Sequence, residues 1–202
     1  DPKKKYNLLD IGCSKGEIIY ALKEEFQNIK YSGLEYSEDL LYLAKQEKFL
    51  NDVNFIKGDA RDFDLKNKFD FTIMSGVLSI FDEIDRPINK MLQHTKENGI
   101  GLIFGAFNKE DIDVLIRYKN NYKESKDWES GWNLFSLGTI KKLIEQKVKD
   151  IEIIKFNLKS DLEKKSDPVK SYSLELKNSN EKLIVTGGGI IRDFYLIKFI
   201  KN

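Results

Sequence analysis

The sequence predicts an α/β fold, a mostly parallel sheet with helices on both faces. Three observations carry this. Short apolar runs alternate with helical patterns through the first two-thirds of the chain. The connections between them are short, which for parallel strands implies right-handed crossovers. Runs such as Leu8-Leu9-Asp10-Ile11 and Gly101-Leu102-Ile103-Phe104 do not alternate polar with apolar, as expected of strands buried on both faces.

The elements follow in order. Residues 6–11 (YNLLDI) form the first strand, and residues 12–16 a glycine-containing turn. Ile18, Ile19, Leu22 and Phe26 recur at helical spacing over residues 17–26. Residues 29–35 are the second strand. Ser37 is placed to cap a helix over 37–48, whose Leu40, Leu41 and Ala44 share a face. Residues 53–57 and 69–74 are the third and fourth strands, 87–95 a helix, and 99–107 the fifth strand. Beyond residue 107 the pattern changes. Residues 110–122 predict an amphipathic helix, 123–135 are polar, and 136–147 predict another helix. Strands at 150–158 and 193–200 flank a charged loop over 159–169 and a hairpin, with strands at 172–177 and 182–186 turning at 178–180. No repeat or low-complexity linker interrupts the 202 residues, so one domain is expected.

Composition narrows the function classes. Hydrophobic residues make up 41% and charged residues 33%, which excludes a disordered or collagen-like chain. Lys and Arg total 34 against 33 Asp and Glu, and a net charge of +1 argues against a broad nucleic-acid footprint. The lone Cys13 excludes an internal disulfide framework, and together with the lone His94 it excludes the common zinc sites. The longest apolar run, near residues 100–107, falls far short of the roughly 20 residues of a membrane span. No secretory segment is visible, so a soluble cytoplasmic protein is expected.

The chemistry-bearing residues lie at strand ends. Asp10-Ile11-Gly12-Cys13-Ser14-Lys15-Gly16 runs from a strand into a helix, and Gly12 and Gly16 allow a tight turn and close approach of a ligand. Glu35 ends the second strand, where a carboxylate can accept two hydrogen bonds from a ribose diol. Gly58-Asp59-Ala60 follows the third strand. There a carboxylate can accept an amino proton, and the next N–H can meet a ring nitrogen. A dinucleotide is a poorer match. Its G-x-G-x-x-G fingerprint is replaced by G-x-x-x-G, with Ser14 at the second glycine. Gly187-Gly188-Gly189 lacks both a following helix and G-K-[ST], and reads as a flexible or bulged strand end near the substrate mouth.

Three polar signals after three successive strands resemble a class I S-adenosylmethionine-dependent methyltransferase, over about residues 5–110. The 10–16 segment is similar to that family's D-x-G-x-G-x-G loop, departing at Ser14. The resemblance implies a Rossmann-like sheet of seven strands in the order 3-2-1-4-5-7-6, the last antiparallel, with the hairpin added before it. It implies that Asp10, Gly12, Cys13, Ser14 and Gly16 pass the methionine part of the cofactor. Glu35 would hold the ribose, Tyr36 and Ser37 would lie beside the adenine, and Asp59 and Ala60 would bind the adenine edge. Ser75, Gly76, Val77 and Leu78 would line the methyl-donor side, with Phe81 closing over it. Residues 108–202 would build the acceptor side. Many family members carry one or two covering helices before the first strand. Only five residues precede it here, so part of the cover is expected outside these 202 residues.

Methyl transfer from a sulfonium is an in-line displacement that gains most from positioning, while a hydroxyl or ammonium acceptor also needs a base. His94 lies on the helix after the fourth strand. Such helices pack away from the site in similar proteins, so His94 reads as structural. Asp82 and Glu83 are the candidate bases by position, although both also suit helix N-terminal charges. A phosphate, phosphoramidate or carboxylate acceptor needs cations instead of a strong base. Of the four arginines Arg61, Arg86, Arg117 and Arg192, two are candidates for a bidentate anion contact. Arg117 is on the predicted helix after the fifth strand, and Arg192 precedes the last strand. The alternative for both is a surface charge. Trp128, Trp132, Asn133 and Phe135, with Tyr122 and Tyr172, are candidates for an acceptor wall or lid; the tryptophans can equally form a satellite core.

The expected activity is therefore metal-free methyl transfer from S-adenosylmethionine, leaving S-adenosylhomocysteine. The expected acceptor is an oxygen of a small polar metabolite, a sugar or sugar phosphate first, with no nucleic-acid or membrane partner. Two alternatives stay open. One is an RNA or protein methyltransferase, disfavoured by the charge balance and by Ser75-Gly76-Val77-Leu78 where an N-P-P-Y-like tetrapeptide would stand. The other is a cofactor-binding module without turnover.

Overall fold

The computed structural model describes residues 4–119, 127–167, 169–176 and 182–202. The first half alternates as the sequence predicts: β1 (Tyr6–Ile11), α1 (Glu17–Glu25), β2 (Ile29–Glu35), α2 (Glu38–Gln46), β3 (Asn54–Lys57), β4 (Phe69–Ser75), α3 (Asp85–His94) and β5 (Thr95–Ala106). Then come the two-residue strands β6 (Arg117–Tyr118) and β7 (Glu129–Ser130), α4 (Leu137–Ile144), β8 (Val148–Phe156), β9 (Tyr172–Glu175), β10 (Lys182–Val185) and β11 (Phe194–Lys201).

Seven strands form one sheet in the order β3-β2-β1-β4-β5-β11-β8, which is 3-2-1-4-5-7-6 when its strands are counted along the chain. The first five are parallel, and β11 runs antiparallel to both β5 and β8. This is the Rossmann-like arrangement expected. β9 and β10 form the separate hairpin, and its predicted turn at 178–180 lies outside the described residues. Among the described residues no helix is long and apolar enough to cross a membrane.

Burial explains the layering. α3 and α4 cover one face, packing Ile88, Met91, Leu92, Ile140 and Ile144 against Leu9, Ile11, Met74, Ile103, Ile197 and Phe199. Ile19 of α1 packs on the other face with Leu8, Tyr31 and Ile73. α2 starts at Glu38 because the Ser37 hydroxyl accepts from the Leu40 N–H at 3.3 Å. The close strand packing is tight at Gly101. A Cβ on Gly101 would lie 2.0 Å from Cζ of Phe199, a ring only 1% exposed. Gly101→Ala is therefore expected to cost about 3 kcal/mol through overpacking. The check is a lower urea midpoint at unchanged slope.

The predicted helix over 110–122 does not form in its described part. Residues 108–118 instead run against the segment leading into α4, through bridges Asn108 to Ser136 and Val114 to Leu134 and the β6–β7 pair. Asp113 fastens this arrangement by accepting from the Ser136 N–H at 2.6 Å and the Thr139 hydroxyl at 2.8 Å. Ile112 and Leu115, whose spacing suggests a helix, are exposed.

Candidate active site

The C-terminal ends of β1, β2, β3 and β4 open onto a cleft of about 640 Å³. Gly12, Ser14, Glu35, Tyr36, Asp59, Ala60, Ser75, Gly76, Phe81 and Trp132 are among its lining. Of the residues predicted for the cofactor, Asp10, Cys13, Gly16, Ser37 and Leu78 lie outside that lining, Leu78 in the core. Parallel pairing explains the convergence. Asp10 is in register with Gly33 and Ile73, so the loops leaving three strands emerge side by side.

The first loop turns through left-handed backbone at Gly12, Ser14 and Gly16, with φ of 76°, 52° and 84°. Gly12 has no alternative, since a Cβ there would meet Cγ2 of Val77 at 2.4 Å. Ser14 adopts the same conformation without being glycine. Its N–H donates to Glu35 Oε2 at 2.9 Å, and the Ser37 N–H donates to Oε1 at 2.8 Å. One carboxylate thus ties the loop after β1 to the turn after β2.

Behind this loop Asp10 is 1% exposed, and neither of its oxygens has a hydrogen-bond partner. Burial first, then the charges of Glu35 and Glu17, push its carboxyl up to about 7. Cys13 is buried, and burial together with Asp10 and Glu35 pushes its thiol far up, so it packs rather than reacts.

Asp59 is engaged by a residue that sequence reasoning did not single out. Arg61 donates through Nε to both Asp59 oxygens, at 3.0 and 3.2 Å, and through Nη2 to Oδ2 at 2.7 Å. This pairing holds the Asp59 carboxyl below its ordinary value. The same guanidinium lies 5.0 Å from the Phe81 ring centre, so it bridges the loops after β3 and β4. The available signal was its position two residues after the aspartate of a turn.

Trp132 also borders a second cavity of about 510 Å³, lined by Val114, Leu115, Ile116, Arg117, Tyr118, Lys119, Val169, Thr186, Gly187, Gly188, Ile190 and Arg192. Arg192 is only 6% exposed. Its guanidinium stacks 5.0 Å from the Trp132 ring centre and donates to the Ser171 hydroxyl at 3.2 Å and the Trp132 carbonyl at 3.4 Å. Among the described residues its Nε has no partner and no carboxylate faces it. Burial lowers its pKa. Trp132 itself is held in left-handed backbone, at φ 60°. Gly187 and Gly188 line this cavity.

Several expected roles change. Arg117 lies on β6, not on a helix, and its Nη2 pairs with Asp82 Oδ2 at 2.6 Å. Asp82 also accepts from Asn133 Nδ2 at 3.2 Å, so it braces the wall rather than standing free as a base. Asn133 is fully buried and cross-links three segments. It donates to the Phe81 carbonyl at 2.7 Å, accepts from the Ile116 N–H at 2.7 Å and gives its own N–H to Ser79. It therefore holds the wall and does not face a ligand. Glu83 is exposed and lines neither cavity, and Trp128 is 69% exposed and lines neither. Phe135 is core, and Tyr172 lies under Lys164 and lines neither cavity. Tyr122 lies outside the described residues. His94 is structural as expected, with Nε2 accepting from the Leu65 N–H, Nδ1 donating to the Lys90 carbonyl, and its ring stacked on Phe63.

A mostly parallel sheet in this order, with a cleft at its strand ends that carries Glu35 and Asp59, defines a class. Residues 2–158 match the methyltransferase-domain family, and the chain belongs to it, among the Rossmann-like S-adenosylmethionine-dependent methyltransferases. A malonyl-[acyl-carrier protein] O-methyltransferase of Bacillus cytotoxicus is 23% identical over 150 residues, covering 72% of this chain and 52% of that protein. A carboxy-S-adenosyl-L-methionine synthase of Campylobacter hominis is 26% identical over 150 residues, covering 71% of this chain and 62% of that protein. The chain thus spans somewhat more than half the length of these relatives. Among solved structures, the YcgJ protein of Bacillus subtilis matches with a TM-score of 0.68 at 14% identity, covering 98% of this chain and 92% of that one.

Proposed function

We propose that this chain transfers a methyl group from S-adenosylmethionine to an oxygen of a small anionic acceptor. The observation that carries the acceptor is Arg192, a buried guanidinium without a carboxylate partner among the described residues, in a cavity that meets the cleft at Trp132. An uncompensated buried cation is costly unless a ligand supplies the opposite charge. The names of both curated relatives support an anion, since one methylates a malonyl group and the other handles a carboxylated cofactor.

The residues present fit the cofactor. Asp10 is a buried carboxylate short of a partner, and the cofactor's methionyl end is cationic. Glu35 is already oriented by two backbone N–H groups and keeps lone pairs for a ribose diol. Asp59 and the Ala60 N–H border the cleft where an adenine edge would lie, and an arriving amino group competes with Arg61 for Asp59. Residues up to about 110 serve the donor and residues 108–202 the acceptor.

When bound, S-adenosylmethionine supplies a methyl on a sulfonium, which leaves as a neutral thioether as an acceptor oxygen forms the new C–O bond. An ionised acceptor gives up no proton, which agrees with an Asp82 engaged by Arg117 and Asn133. The chain's task is then to orient and to exclude water.

The test is methyl transfer from labelled donor to matched carboxylates, phosphates and alcohols. The anions should be methylated and the alcohols should not. Arg192→Met should lower kcat/KM for the anion about 100-fold, equivalent to roughly 2.7 kcal/mol, with donor affinity unchanged. Equal methylation of neutral acceptors would sink the proposal.

A further inference from the structure

We infer that the acceptor is amphipathic, a single carboxylate seated on Arg192 with an apolar body lying along Val114, Ile116 and Ile190. This rests on the reading above in one respect, that the second cavity receives the acceptor.

Charge sets the head group. Arg192 is the one buried cation of the cavity among the described residues, and one guanidinium matches one negative charge. Arg117 is already neutralised by Asp82, and Lys119 is exposed. A phosphate dianion would bring a second charge with no buried cation to meet it. Geometry agrees. Stacking on Trp132 fixes the guanidinium plane, and Nη1 and Nη2, each bonded once among the described residues, keep a second N–H apiece for a planar carboxylate.

The walls set the body. Val114, Leu115, Ile116, Val169 and Ile190 supply aliphatic side chains. A sugar needs a dense ring of donors and acceptors, and this wall does not provide one, so the sugar expectation gives way. The cavity's size falls within the ordinary range for small-ligand sites. Gly187 and Gly188 add no side chains to the lining, which leaves room there for a chain that continues outward.

Binding without turnover tests this. Acetate, butanoate, hexanoate and octanoate are titrated against the protein with no methyl donor present, following Trp132 fluorescence in a Trp128→Phe background. Trp128 is exposed and lines neither cavity. Affinity should rise about fourfold per methylene until the cavity is filled. Hexanamide should bind at least about tenfold more weakly than hexanoate. Arg192→Met should erase that preference and Arg192→Lys retain part of it, with melting curves confirming that each variant is folded. Ile190→Ser should flatten the chain-length slope and leave acetate unchanged. Affinity independent of chain length, or equal binding of acid and amide, would overturn the inference. Chain-length-dependent binding without methyl transfer to any of these acids would leave the carboxylate site standing and count against the transfer reaction instead.

Discussion

At pH 8, Asp10→Asn is expected to stabilise the ligand-free protein by about 2 kcal/mol. Moving the carboxyl from 3.8 to about 7 corresponds to about 4 kcal/mol of destabilisation once the group is ionised in both states. Burying an amide in the same dry position returns about 2 kcal/mol of that. The sign follows from proton counting. Between the two values the folded protein holds a proton that the unfolded chain has lost, so this contribution to stability falls as pH rises from near 4 to about 7. Above that it is constant. Urea unfolding from pH 4 to 8 should show the decline in the parent and its loss in Asp10→Asn. The same substitution should weaken S-adenosylmethionine binding at least about tenfold, because the carboxylate's charge is what the cationic ligand would meet. A variant that keeps the parent's pH-dependent decline and is unaltered in binding would place Asp10 outside the site.

Glu35→Ala should have the larger effect on the cofactor, a loss of about 100- to 1000-fold in affinity for S-adenosylhomocysteine by calorimetry. Two charge-assisted hydrogen bonds to a ribose diol contribute about 3–5 kcal/mol together. The substitution also frees the Ser14 N–H from the contact that holds the loop. A cost of about 1–2 kcal/mol in stability should accompany it. Removing the Glu35 charge also eases Asp10, so the pH midpoint assigned to Asp10 should move down in this variant. Affinity within threefold of the parent would remove Glu35 from the site.

The cleft at the strand ends was legible because its signals are local. Gly12, Glu35 and Asp59 each stand at the end of an apolar run, and parallel topology alone gathers such ends at one edge. Arg192 was legible as a scarce arginine near a late strand. Its burial against Trp132 was not, since that depends on a contact spanning 60 positions. The stretch after residue 107 misled for a related reason. Ile112 and Leu115 carry a helical period, yet Asp113 and Asn108 bind partners more than 20 residues onward, and those pairings override the local pattern. Asp82 had chemistry that suits a base and Asn133 chemistry that suits an acceptor wall, and only their neighbours show Asp82 to be spent on Asn133 and Arg117.

The Asn133 cross-link has an evolutionary consequence. One buried amide fastens the strand-four loop, the 116 backbone and its own segment together, so the frame of both cavities is set without help from the aliphatic side chains at 115 and 190. Those two positions are free to vary in bulk while the frame stays put. On the proposed reading, changes of acceptor preference can then accumulate there by small steps with the first cleft inherited intact, whereas a change at 133 would forfeit both at once.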